Sequence, residues 1–287
     1  MDNTLQSEIK KSLTELLLNG DLEEVKQLNK GIEGEKYTLK TNYLPMYFTG
    51  NLYSRIVFID FNPGPGTLLQ TKSNGQFLEL DGFESNQNPI ISCEEEYIEF
   101  FSNFGMYKME HQRKRGEKPK IFDRKQYHFF KGLGALDLET ISNLEDAIIH
   151  IRNEKLQLEW VPYCSTSFSS DNFSDEYLNK RLHFIKTIID TVPRDLIFIV
   201  GKHELLEQHF GKANWVKRTP DGKKMSFTVG RSVYKNILVL FIQSYKRQGL
   251  AGKLMEEYGA FCREVFGMNR NNEESNFIFN SILNEKS

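Results

Sequence analysis

The stretch Arg55-Ile56-Val57-Phe58-Ile59-Asp60-Phe61-Asn62-Pro63-Gly64-Pro65-Gly66 decides the fold. Ile56 to Ile59 with Phe61 make a nearly continuous apolar run. That pattern belongs to a parallel strand buried on both faces, not to one that alternates. The next five residues cannot prolong it, because Pro63 and Pro65 have no N–H to give a ladder. A central strand therefore runs into a sharp turn that carries an amide side chain and small residues. In open α/β sheets ligands bind there, in the crevice outside the carboxyl ends of the strands.

Three further segments repeat the pattern. Leu158-Glu159-Trp160-Val161 reads as a second strand, broken by Pro162 and releasing Tyr163-Cys164-Ser165-Thr166-Ser167. Leu196–Val200 is a third, ended by Gly201, and Ile237–Ile242 a fourth, leaving through Gln243-Ser244-Tyr245-Lys246-Arg247. Helical spacing fills the gaps at about 125–135, 142–152, 174–189, 204–210 and 250–266. Ser92 with Glu95 reads as the capping box of one more helix, with Tyr97, Phe100, Phe101 and Phe104 on its apolar side. Residues 215–235 read as a hairpin around Asp221-Gly222. Strands alternating with helices predict an α/β domain with a four-stranded, mostly parallel sheet and helices on both faces.

That domain is expected over 41–267, between a helical N-terminal extension (1–40) and a C-terminal tail (268–287). In the extension, Leu5, Ile9, Leu13, Leu16 and Leu17 recur at helical spacing up to Gly20. Asp21 with Glu24 then suggests a capping box for a second helix that stops at Gly31. The pair is either docked on the domain or presented to a partner.

Composition removes several classes of function. Thirty-seven Lys and Arg stand against 39 Asp and Glu, a net charge of −2, so any nucleic-acid surface has to be local. The most basic segment is 108–125, where Lys108, Arg113, Lys114, Arg115, Lys118, Lys120, Arg124 and Lys125 face three acids. It reads either as a phosphate-binding flank or as a solvated loop. Cys93, Cys164 and Cys262 lack C-x-x-C spacing, against a disulfide framework, a zinc ribbon or an all-cysteine iron–sulfur cluster. A reducing, cytoplasmic setting is the natural expectation. No apolar run approaches eighteen residues and no signal-peptide pattern opens the chain, so no membrane partner is expected. The six histidines are scattered without metal-ligand spacing, so no metal is expected. Gly64-Pro65-Gly66 is not a phosphate loop, since no Gly-Lys-Ser/Thr follows and Pro65 removes an amide. A Rossmann fingerprint would need glycine where Leu69 stands.

The strand ends in combination resemble one family. An apolar strand ending Asp60-Phe61-Asn62-Pro63-Gly64, about a hundred residues ahead of Pro162-Tyr163-Cys164-Ser165, is similar to the uracil-DNA glycosylase superfamily. The mismatch-specific, thymine-DNA-glycosylase-like and single-strand-selective branches are the nearest in pattern. The likeness spans roughly Leu44 to Phe266 in strand order. It implies a three-layer α/β/α sandwich and hydrolysis of the N-glycosidic bond of a flipped pyrimidine in DNA, without cofactor.

Residue by residue, the resemblance places Asn62 where the family's asparagine orients the attacking water. Gly64 falls where strict uracil enzymes carry a tyrosine, so the pocket would admit pyrimidines modified at carbon 5. Phe61 adjoins this pocket, Phe77 or Phe83 would stack on the base, and Tyr163, Cys164 and Ser165 would face its hydrogen-bonding edge. The loop after Ile242 stands in for the family's His-Pro-Ser wedge. There Gln243 replaces the histidine, and Ser244, Tyr245, Lys246 and Arg247 would engage DNA, with Arg113, Lys114 and Arg115 as a second contact. Asp60 replaces the family's glycine and puts a carboxylate beside the ligand. It is counted with the catalytic set, for stabilising an oxocarbenium-like sugar, although it could also repel phosphate. Asn62 has a local alternative, bonding its own turn. A non-catalytic nucleic-acid or nucleotide-binding module on the same fold is the competing reading.

Overall fold

In the computed structural model the described residues are 3–63, 70–71, 77–78, 91–114, 116–134, 138, 141–201, 203–244, 250 and 252–267. The chain begins with α1 (Asn3–Asn19) and α2 (Glu23–Asn29), then strands β1 (Phe48–Gly50) and β2 (Ile56–Asp60). A small pair, β3 (Gln70–Thr71) and β4 (Phe77–Leu78), follows. Next come α3 (Glu94–Ser102), α4 (Phe104–Lys114), α5 (Ile121–Leu133), α6 (Leu144–Glu154) and β5 (Leu156–Glu159). The chain continues through α7 (Asp175–Ile189), β6 (Leu196–Val200) and α8 (Glu204–Phe210). It finishes with β7 (Asn214–Arg218), β8 (Phe227–Tyr234), β9 (Ile237–Ile242) and α9 (Lys253–Gly267). No described helix is long and apolar enough to cross a membrane.

The fold is α/β, but the sheet departs from the four mostly parallel strands that the sequence suggests. It is a mixed sheet of seven, ordered β1-β5-β2-β6-β9-β8-β7, with β3-β4 a separate antiparallel pair. All four expected strands are members. The hairpin expected at 215–235 is there too, as β7 paired antiparallel with β8, and it joins the sheet rather than standing apart. The reason lies in two residues. Only Lys235 and Asn236, both at positive φ (47° and 68°), separate Tyr234 from Ile237. A two-residue link with that backbone twist closes an antiparallel hairpin, whereas a parallel neighbour needs a crossover of a dozen residues or more. β9 is thus parallel to β6 on one side and antiparallel to β8 on the other.

By contact the chain divides into two units. Met1–Tyr53, Ile59–His111 and Gln157–Pro193 form the first; Ser54–Phe58, Gln112–Leu156 and Arg194–Ser287 form the second. In the second, alternate strand residues (Ile56 and Phe58; Leu196, Phe198 and Val200; Leu240 and Ile242) pack with Phe129, Phe130, Leu133, Tyr258 and Phe261 of α5 and α9. Burying each such side chain contributes about 1.5–3 kcal/mol. Two glycines let the helices touch backbone to backbone: a Cβ on Gly132 would lie 1.8 Å from the Glu256 carbonyl oxygen, and one on Gly259 would lie 2.1 Å from that of Phe129.

In the first unit α1 buries Leu5, Ile9, Leu13 and Leu16, and ends with Gly20 at φ 74°. Two capping boxes differ from expectation. Asp21 does not cap α2, which starts at Glu23 without a side-chain cap; its carboxylate accepts from Thr41 Oγ1 (2.6 Å) and pairs with Lys26 (3.2 Å). At α3 it is Glu96, not Glu95, that reaches back to the amide and hydroxyl of Ser92 (2.7 and 2.8 Å). Ser174 does cap α7, through the Tyr177 amide.

Candidate functional site

β2 delivers Asn62 just past its carboxyl end, 5% exposed. The hydrogen bonds around it fix which way its amide faces. Ser165 Oγ donates to the carbonyl oxygen of Ser167 (2.6 Å), which can only accept. With its one proton spent, the hydroxyl can only accept from Asn62 Nδ2, 2.8 Å away. The carbonyl oxygens of Pro63 (3.3 Å) and Tyr163 (3.4 Å) crowd the same nitrogen. Three acceptors therefore hold Nδ2, and Oδ1 accepts no hydrogen bond from any described residue. A neutral amide held like this offers one lone-pair group. It can orient the O–H of a water, but it cannot take the proton.

The same strand end carries Asp60 and Phe61. Asp60, half-buried, accepts from the Phe61 amide through Oδ1 (2.8 Å). The Phe61 ring stacks on Phe168 (5.1 Å, 12°), and the stack continues through Phe173 to Tyr177. Trp160 and Val161 extend past β5 by giving their amides to the carbonyls of Asp60 and Phe61, both at 2.8 Å. Pro162 then ends the pairing, and Tyr163, Cys164 and Ser165 follow, each at most 3% exposed. Burial raises the Tyr163 phenol well above its ordinary value and pushes the Cys164 thiol up to about 12. Cys164 is thus a protonated packing residue and not a thiolate nucleophile. Tyr163 serves Asn62 through its carbonyl rather than its ring.

Compared with protein-family models, curated proteins and solved structures, the chain shows no match, so no relative lends it a function.

Gln243 lies at the end of β9 in the second unit, where Ser244 follows it, half-buried. Its backbone N–H donates to the Tyr258 hydroxyl (2.7 Å), which donates to the Thr228 carbonyl (3.0 Å). Side-chain Nε2 sits 3.4 Å from the Ser226 carbonyl, while Oε1 is buried without a partner among the described residues.

The basic segment is largely folded into helices α4 and α5. Lys108 and Lys125 are buried (8% and 7% exposed), and desolvation lowers the Lys125 ammonium pKa. Arg113 meets Glu145 at 2.9 Å and Asp146 at 3.8 Å, and Lys120 meets Glu117 at 2.8 Å. Lys114 is exposed near the end of α4 and makes an interaction of its own. Phe77 lies in β4, with its backbone opposite Thr71. Gly64, Phe83, Arg115, Tyr245, Lys246 and Arg247 lie outside the described residues. Among the described residues no group of three His, Cys, Asp or Glu could hold a metal.

The structure adds three participants that the sequence does not single out: the Ser167 carbonyl, the Phe168 ring and the Tyr258 hydroxyl. Ser167 and Phe168 lie within reach of the Pro-Tyr-Cys-Ser motif, and that proximity is the available signal. Tyr258 sits in the middle of an amphipathic helix and gives none.

Proposed function

We propose that this protein hydrolyses the N-glycosidic bond of a modified or mismatched pyrimidine in DNA, on a three-layer α/β/α variant of the uracil-DNA-glycosylase fold. The supporting observation is the Asn62 amide, whose nitrogen is held by three acceptors while its oxygen accepts from no described residue. Cleavage of a flipped nucleotide is largely dissociative, so orienting a water can suffice without a strong base. In this reading Asn62 Oδ1 accepts from the attacking water, and the Asp60 carboxylate, two residues earlier on the same strand, stabilises positive charge developing on the sugar.

The test is base release from duplexes that carry uracil, a thymine mismatch or a bulky 5-modified cytosine, scored as abasic sites by alkaline strand cleavage. Wild type is expected to act on at least one, and Asn62→Ala to be slower by roughly 10²-fold, the scale of a lost positioning group. A wild type inert on all three, or Asn62→Ala of equal activity, removes the reading.

One observation favours the non-catalytic alternative. Gln243 already directs Nε2 at the Ser226 carbonyl and has no cationic charge to offer a leaving base. Salt-dependent DNA binding without base release, weakened by Arg247→Glu, would establish that reading instead.

A further inference from the structure

The segment 160–167 is held from two sides. On one side lies the Asn62 strand end, where the amides of Trp160, Val161 and Ser165 donate to the carbonyls of Asp60 (2.8 Å), Phe61 (2.8 Å) and Pro63 (3.4 Å). On the other lies a stretch of the N-terminal region. Met46 N–H donates to the Pro162 carbonyl (2.9 Å), Lys40 N–H to that of Cys164 (2.9 Å), and Ser167 N–H to that of Lys36 (2.8 Å).

These contacts bracket the groups that orient Asn62. Pro162 and Cys164 flank Tyr163, whose carbonyl faces Nδ2, and Cys164 precedes Ser165, whose hydroxyl accepts from Nδ2. Ser167, which takes the Ser165 proton on its carbonyl, is tied through its own amide to Lys36.

The outer stretch is itself pinned. The Asn29 side chain binds both polar groups of the Leu39 backbone, donating from Nδ2 to its carbonyl (2.9 Å) and accepting its N–H on Oδ1 (2.9 Å). Such an amide pair replaces a missing strand neighbour at one residue, and it lies next to the Lys40 amide that reaches Cys164. Leu22 N–H to the Thr41 carbonyl (2.8 Å), Thr41 Oγ1 to Asp21 (2.6 Å) and Tyr97 Oη to the Pro45 carbonyl (2.6 Å) complete the anchoring.

We infer that residues 36–46, clamped by Asn29 on α2, are the positioning element of the Asn62 site, with Asn29 a positioning residue for the reaction proposed above. The N-terminal helices are then part of the catalytic framework. The inference rests on that reaction only where activity is the readout.

The experiment compares Asn29→Ala, Asn29→Asp and, as a control in the same unit, Asn103→Ala, which loses a side-chain bond to the Glu99 carbonyl. Hydrogen exchange is followed at the Ser165 and Ser167 amides and at the Asn62 side-chain NH2, well below the unfolding temperature, together with kcat and KM for base release. Asn29→Ala is expected to speed exchange at all three groups and to lower kcat about tenfold at unchanged KM, as a displaced reacting group does. Asn29→Asp keeps the acceptor for Leu39 N–H and is expected to recover part of both effects; it also carries the test if the alanine variant does not fold. Asn103→Ala is expected to change neither. Unchanged exchange in Asn29→Ala, or equal acceleration in Asn103→Ala, overturns the inference. If wild type releases no base, the exchange arm still decides the inference, because it needs no substrate. If wild type is active and Asn29→Ala keeps full kcat, the inference falls and the proposed reaction stands.

Discussion

Asn62 and Gln243 close their strands in the same way, an apolar run ending in an amide, yet the two amides are used differently. At Asn62 three acceptors surround the nitrogen, and among the described residues nothing donates to the oxygen. At Gln243 the nitrogen makes one long contact, and the buried oxygen accepts from no described residue. The first arrangement fixes which way the amide faces. The second carries a cost, because a buried unsatisfied acceptor destabilises by about 1–3 kcal/mol. Sites that tolerate such a cost tend to be functional ones. The comparison separates an amide whose nitrogen is held on several sides, Asn62, from one held by a single long contact, Gln243.

The sharpest way to break this comparison is Asn62→Asp. A carboxylate is the better base, so simple base strength predicts faster hydrolysis. The geometry predicts the reverse. Ser165 Oγ and the carbonyls of Pro63 and Tyr163 would all face a group with no proton to give, and the side chain would swing away or bind a proton. Base release is expected to fall by roughly 10²-fold or more, as far as in Asn62→Ala. A faster Asn62→Asp would mean that the site wants a proton acceptor and that the fixed amide is incidental.

Next in size is Ser165→Ala. Removing one of three acceptors leaves Nδ2 the two longer contacts, so activity is expected to drop about tenfold with little change in KM. At the other strand end, Gln243→Met keeps the volume and deletes the unmet acceptor. It is expected to raise Tm by about 2–4 °C, the shift that about 1 kcal/mol gives a chain of this class. If Gln243 serves the leaving base, the same variant loses activity while gaining stability. A lower Tm would show that the Ser226 contact outweighs the orphaned oxygen.

The sequence makes these strand ends legible because apolar runs interrupted by proline signal their own limits. Ile56–Asp60 shows this ahead of Asn62-Pro63, Leu196–Val200 is bounded by Gly201 instead, Ile237–Ile242 is marked by its apolar run alone, and α8 forms where helical spacing predicts it, over Glu204–Phe210. Of the sheet's extra strands, β7 and β8 are legible as the 215–235 hairpin but not as members of the sheet, and β1 is not legible at all. Phe48–Gly50 is three residues long, and the link at Lys235-Asn236 lacks the glycine that marks such turns, although its positive φ values dictate the antiparallel register. Within the site, Asn62 and Ser165 stand out by type and place. Their partnership cannot be read from sequence, since it joins positions 103 residues apart and depends on carbonyls that any residue could supply. Asn29 is invisible for the same reason: a bond to backbone leaves no trace in the partner's identity.

The smallest effect separates the two units by pH. His128 on α5, in the second unit, has its pKa lowered below its ordinary 6.5, chiefly by desolvation and against the pull of Glu256. The unfolded chain thus binds a proton more readily than the folded one. This group's contribution is full above pH 6.5 and is lost as pH falls through the lower folded value. Asp21, in the first unit, is lowered from its ordinary 3.8, first by the Thr41 hydroxyl and then by Lys26. Its contribution persists above 3.8 and is lost only as pH falls through its still lower folded value. Acidification should therefore loosen α5 before it loosens the segment anchored at Thr41. Hydrogen exchange followed as pH is lowered from about 7 reads this directly, and His128→Asn is expected to flatten the response of α5 alone. Exchange rising first around Leu39–Thr41 would mean that the Asn62 scaffold is the weaker of the two regions, against everything its matched hydrogen bonds imply.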